Sequence, residues 1–129
     1  MKRLRLIVAG AALAAMLIEA ASPPQAPGHA FPVRSDPRVG WRVTGSPPKV
    51  TIWFDGELEP AFSTIAVYNS AKERVDKSNG RVSSSDATVL EVDLPQLPPG
   101  SYRVYWSVVA KDTHHTEGNF PFTIQEKSP

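Results

Sequence analysis

Five short runs in this chain place apolar side chains at every second position, and past the N-terminus no stretch repeats at helical spacing. "KVTIWFD" (49–55) puts Val50, Ile52 and Phe54 on one side, and "STIAVYN" (63–69) does the same with Ile65 and Val67. "TVLEVDL" (88–94) sets Leu90, Val92 and Leu94 against Glu91 and Asp93. "SYRVYWSVVA" (101–110) aligns Tyr102, Val104, Trp106 and Val108, and "NFPFTI" (119–124) aligns Phe120, Phe122 and Ile124. Successive side chains of a strand project to opposite faces, so each run reads as a strand with one wet face and one buried face. "GSPP" (45–48), "SNG" (78–80) and "LPPG" (97–100) separate the runs with turn residues, Pro presetting φ and Gly accepting positive φ. Half-buried strands need a second layer to cover their apolar side. The expected fold is therefore all-β: a two-sheet, Ig-like sandwich or Greek-key barrel of cupredoxin-like topology.

Trp53, Trp106, Tyr102 and Phe120 are expected in the core, while Trp41 belongs at an edge or near the site. The polar segment "KERVDKSNGRVSSSD" (72–86) reads as a loop or exposed hairpin, and "EPAFSTI" holds a short turn at most. With 129 residues and no internal repeat, one domain is expected.

The N-terminus has a different character. Lys2, Arg3 and Arg5 precede the apolar run "LIVAGAALAAMLI" (Leu6 to Ile18), which small residues follow. This is the pattern of a secretory signal peptide, and the run is shorter than the roughly 20 residues of a bilayer span. Cuts after Ala20, Gly28 or Ala30 all satisfy the small-residue rule. The division taken here is a signal peptide over 1–28 and a single β domain over 29–129, with no membrane span after cleavage. Of 14 basic and 13 acidic residues, Lys2, Arg3, Arg5 and Glu19 fall in the leader, so the whole-chain charge of +1 becomes −1. Nothing in that balance points to nucleic acid or an anionic membrane.

The chain has no cysteine, and Met1 and Met16, its 2 methionines, also lie in the leader. Disulfides, thiolate metal sites and a cysteine nucleophile are excluded, and a sulfur-rich Cu(I) site is disfavoured. There is no G-x-S-x-G to carry a serine nucleophile. Glu57 and Glu59, in "DGELEPAF", read as a solvated loop rather than a glycosidase pair. All 3 histidines, by contrast, stay with the domain: two in "KDTHHTEG" (111–118) and His29 at its start.

Asp112 and His114 stand two apart, on one face of an extended segment, with His115 facing away into solvent. If cleavage follows Gly28, His29 offers both its ring and a free α-amine to one metal. With His114 and Asp112 that makes three nitrogens and one oxygen. The set suits tetragonal Cu(II), and Zn(II) accepts similar ligands. An imidazole ionises near about 6.5 and an α-amine near about 7.7–8.0, so protons compete with the metal and affinity should fall below neutrality.

"HAFPVRSDPRVG", "PPKVTIWFDGELEPAFS" and "LPPGSYRVYWSVVAKDTHHTEGNFPFTI" resemble the CopC family of periplasmic copper-resistance proteins across nearly all of residues 29–124. The resemblance implies a small Greek-key β fold and one Cu(II) ion. Its ligands would be the amine and ring of His29 with Asp112 and His114, and this favours the cut after Gly28. It also implies a periplasmic protein that sequesters copper, confers resistance, or delivers the ion to an inner-membrane copper transporter of the CopD type, without being an enzyme. Three positions depart from the family pattern. Phe31 stands where a second histidine is common, Gly56 where a glutamate near the copper is common, and the Met-rich Cu(I) segment is missing. A histidine-brace copper oxidase or monooxygenase and a metal-free Ig-like interaction module are the alternatives.

Overall fold

A computed structural model describes residues 29–127; the expected signal peptide, 1–28, lies outside them. Eight strands run in order: β1 (Pro32–Asp36), β2 (Arg42–Thr44), β3 (Lys49–Phe54), β4 (Thr64–Asn69), β5 (Arg81–Val82), β6 (Val89–Asp93), β7 (Gly100–Val109) and β8 (His115–Gln125). They form two four-stranded sheets, β1-β3-β6-β5 and β2-β8-β7-β4. The chain passes repeatedly between the two sheets, as an all-β Ig-like sandwich of Greek-key type does. All pairings are antiparallel except β2 with β8. Among the described residues no helix is long and apolar enough to cross a membrane.

The alternation seen in the sequence sets the two inner faces. Val50, Ile52 and Phe54, Leu90, Val92 and Leu94, and Tyr102, Val104, Trp106 and Val108 are all buried, with Ile65, Val67, Phe120, Phe122 and Ile124. Trp106 meets Phe54 edge-on at 5.3 Å across the core. Its indole also lies flat over Gly118, where a Cβ would stand 2.6 Å from the ring. Only glycine permits that approach.

Trp53 is the exception among the expected core aromatics. It follows Ile52 and precedes Phe54, so strand parity turns it outward. There the Arg34 guanidinium covers it at 3.8 Å from the ring centroid. Trp41 is exposed and lies under Arg38. The segment 72–86 holds the two-residue strand β5 and a loop fastened by one carboxylate. Asp76, whose side chain is 0% exposed, accepts from the Val67 and Ser78 amides at 2.7 Å each and from Arg74 Nε at 2.9 Å. Burial opposes ionisation of Asp76, but the Arg74 bond and the two amides outweigh it and hold the carboxyl below its usual range.

Candidate metal centre

Three segments meet at one end of the sandwich. The first is the chain entering β1. Ala30 is fully buried, its carbonyl accepts the Thr116 hydroxyl at 2.7 Å, and Phe31 N–H donates to Asp55 Oδ1 at 2.8 Å. The Asp55 amide donates back to the Phe31 carbonyl at 3.0 Å. The second segment, 55–59, is joined to the third by Lys111 N–H to Glu57 O at 3.0 Å and Glu59 N–H to Val109 O at 2.8 Å. The third is the β7–β8 connection, residues 110–114.

That connection is a tight turn rather than extended chain. Thr113 takes a positive φ of 78°, uncommon for a β-branched residue. The Ala110 amide reaches the His114 carbonyl at 2.9 Å and the Thr113 amide reaches Ala110 O at 2.8 Å. Asp112 and His114 therefore meet for a different reason than strand alternation. Asp112 folds over its own turn, Oδ1 accepting the His114 amide at 3.0 Å and Oδ2 bonding the His114 ring Nδ1 at 2.7 Å. This is the local side-chain-to-backbone habit of aspartate. The His114 amide is the largest influence holding the Asp112 carboxyl below its usual range. Desolvation opposes it, and the His114 ring bond and the charges of His114 and His29 add to it.

His29 completes the group from 83 residues away along the chain. Its ring lies against that of His114, centroids 4.2 Å apart and tilted by 41°. The Phe31 ring is 5.9 Å from it. The structure thus brings together all three residues that the sequence singled out, His29, Asp112 and His114. They are not a closed cage: among the described residues no three His, Asp or Glu side chains converge as a metal cluster. Gly56 lies against this group. A Cβ there would be 3.5 Å from the His29 carbonyl and 3.7 Å from Ala30 Cβ, ordinary contact distances. Among the described residues Glu57 makes no hydrogen bond to either histidine, and Glu59 faces Lys111 at 3.7 Å. His115 does face away, as expected. Its Nε2 bonds Ser107 Oγ at 2.7 Å on the outer face of the sheet. Thr116 is the residue that sequence reasoning missed; its hydroxyl faces inward at a position that alternation assigns simply to the half-buried side.

Two facing imidazoles and an ionised carboxylate at the open end of a small β-sandwich define a class: a β domain with nitrogen and oxygen donors of the kind that suit a borderline divalent metal. Comparison with known proteins gives the family. The CopC domain model matches residues 32–125, and the chain belongs to the CopC family. It is 34% identical over 97 residues to the copper transport protein CutJ of Bacillus subtilis, covering 74% of this chain but only 18% of that relative's length. The crystal structure of CopC from Methylosinus trichosporium OB3b superposes with a TM-score of 0.69 at 32% identity, covering 78% of this chain and 98% of that one. PcoC, a methionine-rich copper resistance protein from Escherichia coli, superposes with a TM-score of 0.61 at 28% identity, covering 75% and 99%. These relatives are named for copper transport and copper resistance, and membership of the CopC family reads the chain as a copper protein rather than an enzyme.

Proposed function

We propose that the chain is a periplasmic copper(II) carrier, freed by cleavage after Gly28. It would hold one ion between the His29 amine and ring, His114 and Asp112. The observation that carries this reading is the meeting of His29 with the Asp112–His114 pair. Donors on one metal at about 2.0–2.1 Å lie about 2.9 Å apart at a right angle. His114 Nδ1 and Asp112 Oδ2, 2.7 Å apart, stand close to that spacing, so a metal can replace the proton they share. Cleavage would supply the missing donor by converting the His29 peptide nitrogen into an amine. The absence of sulfur from residues 29–129 favours the oxidised ion. It also separates this chain from the methionine-rich relative.

The buried Ala30 and the bonds of the segment to Asp55 and Thr116 keep His29 at the site without metal. The ion is cargo. It is released by protonation of its nitrogens or by transfer to a receiver with better ligands. A CopD-type inner-membrane transporter is the proposed receiver. Support comes from the copper transport protein of Bacillus subtilis, in which a segment like this one is a small part of a far longer chain.

The test is intact mass of the secreted protein followed by Cu(II) titration. A first residue of His29 and one tight equivalent, lost in His114→Ala with the fold retained by circular dichroism, is the expected result. A different first residue, or equal affinity in His114→Ala, contradicts the reading. Failure to bind copper at all would leave a metal-free module.

A further inference from the structure

A second cluster of metal-binding groups lies on the outer face of the β4-β7-β8 sheet, and the carrier reading does not use it. His115 and Glu117 are two apart on β8, so they share that face. Ser107 on β7 is directly opposite Glu117. His115 Nε2 is 2.7 Å from Ser107 Oγ and 3.7 Å from Glu117 Oε1. Donors on a metal at about 2.0–2.1 Å lie about 2.9 Å apart at a right angle and about 3.4 Å apart in a tetrahedron. The two separations, both from His115 Nε2, bracket those values, and rotations of the exposed His115 and Glu117 side chains would carry them toward one ion beside Ser107.

The surroundings favour a cation. The strand register places Thr64, Tyr105, Val109 and Asn119 around the cluster, and none of them is charged. Lys111, the nearest lysine in sequence, is engaged by Glu59. Arg103 lies further along β7 and donates to Asn119 at 2.7 Å. Among the described residues Glu117 has no lysine or arginine partner, and its only ionic neighbour is His115.

We propose that His115, Glu117 and the Ser107 hydroxyl form a second, weaker site for a borderline divalent ion. Cu(II) is the best fit in the affinity order for nitrogen and oxygen donors. Water completes the coordination, because the site is open. It differs from the first centre in needing no free α-amine, so it does not depend on proteolysis or on His29. The two sites nevertheless share a backbone: His114 and His115 are consecutive and face opposite ways. An ion captured at the outer face would sit one residue from the inner centre.

The test titrates copper sulfate into the secreted chain, its His115→Ala, Glu117→Gln and His114→Ala variants, with calorimetry and electron paramagnetic resonance as readouts. Two equivalents of different affinity are expected for the wild type. His115→Ala should lose the weaker one only, Glu117→Gln should weaken it severalfold, and His114→Ala should lose the tighter one and keep the weaker. A single equivalent in the wild type overturns the proposal. So does a weaker site that survives His115→Ala, ignores Glu117→Gln, or vanishes with His114→Ala. Since His114→Ala reports on the first centre separately, either site can fail while the other stands.

Discussion

Replacing Thr116 by valine should loosen the proposed copper site without touching a proposed ligand. The Thr116 hydroxyl donates to the carbonyl of the fully buried Ala30 at 2.7 Å, and that bond, with the Phe31–Asp55 pair, holds His29 against His114. Valine keeps the β-branch that suits a strand but removes the donor. A single hydrogen bond contributes about 0.5–1.5 kcal/mol net, and a buried carbonyl left without a donor costs about 1–3 kcal/mol. A loss of about 1.4 kcal/mol is tenfold in the ratio of docked to undocked N-terminal segment. If copper binds the docked form, as proposed, apparent affinity follows the docked fraction and falls by at most that factor. Hydrogen exchange is the more sensitive readout, because the Phe31 and Asp55 amides are freed whenever the segment lifts. Exchange about tenfold faster at both amides, a Cu(II) affinity reduced by up to about tenfold, and near-native behaviour in Thr116→Ser are expected. Unchanged exchange at both amides in Thr116→Val would refute the claim that this bond fastens the segment before β1.

Other consequences are independent of it. Gly118→Ala would relieve the entropic cost of glycine in a strand, but the added methyl meets the Trp106 ring at 2.6 Å. Overpacking should win, by about 1–3 kcal/mol, read as a lowered melting temperature with altered tryptophan fluorescence. Asp76→Ala removes the acceptor shared by Val67, Ser78 and Arg74 and should cost about 2–4 kcal/mol in chemical denaturation. An acid titration by NMR should find the Asp112 carboxyl protonating below its ordinary value of 3.8. A carboxyl depressed in the fold stabilises above its unfolded pKa, and that contribution fades as pH drops through the folded value. The turn around His114 should therefore loosen at a lower pH than an ordinary aspartate would set, and Asp112→Asn should abolish the transition.

Much of the fold was legible because half-buried strands advertise themselves. Every apolar face read from alternation is buried, and the turn strings fall between strands, with only Gly100 of the third inside one, at the start of β7. The strands that escaped notice lack that signal for physical reasons. β1, "PVRSD", is an edge strand in which only Ser35 is buried, while β2 and β5 have three and two residues. They exist because a neighbour pairs with them. Trp53 departs from a core position because strand parity, not size, sets its side, and the arginine that covers it sits 19 residues away in sequence.

The candidate residues stand out in composition, since three histidines and a sulfur-free domain leave few combinations, and the family resemblance points to one. Their geometry does not. Asp112 reaches His114 through a turn with a left-handed threonine, which a D-x-H string does not reveal. Likewise Thr116, one of many half-buried threonines by pattern, holds the N-terminus through a contact that spans most of the domain.

The central claim is that the α-amine and ring of His29 share one copper(II) ion with His114 and Asp112. Electron paramagnetic resonance of the copper complex tests it most directly, comparing the chain that begins at His29 with the same chain acetylated at its N-terminus. Nitrogen hyperfine structure from three donors in the free-amine form, with a changed spectrum and much weaker binding after acetylation, is the predicted result. Identical spectra and affinities in the two forms would contradict it.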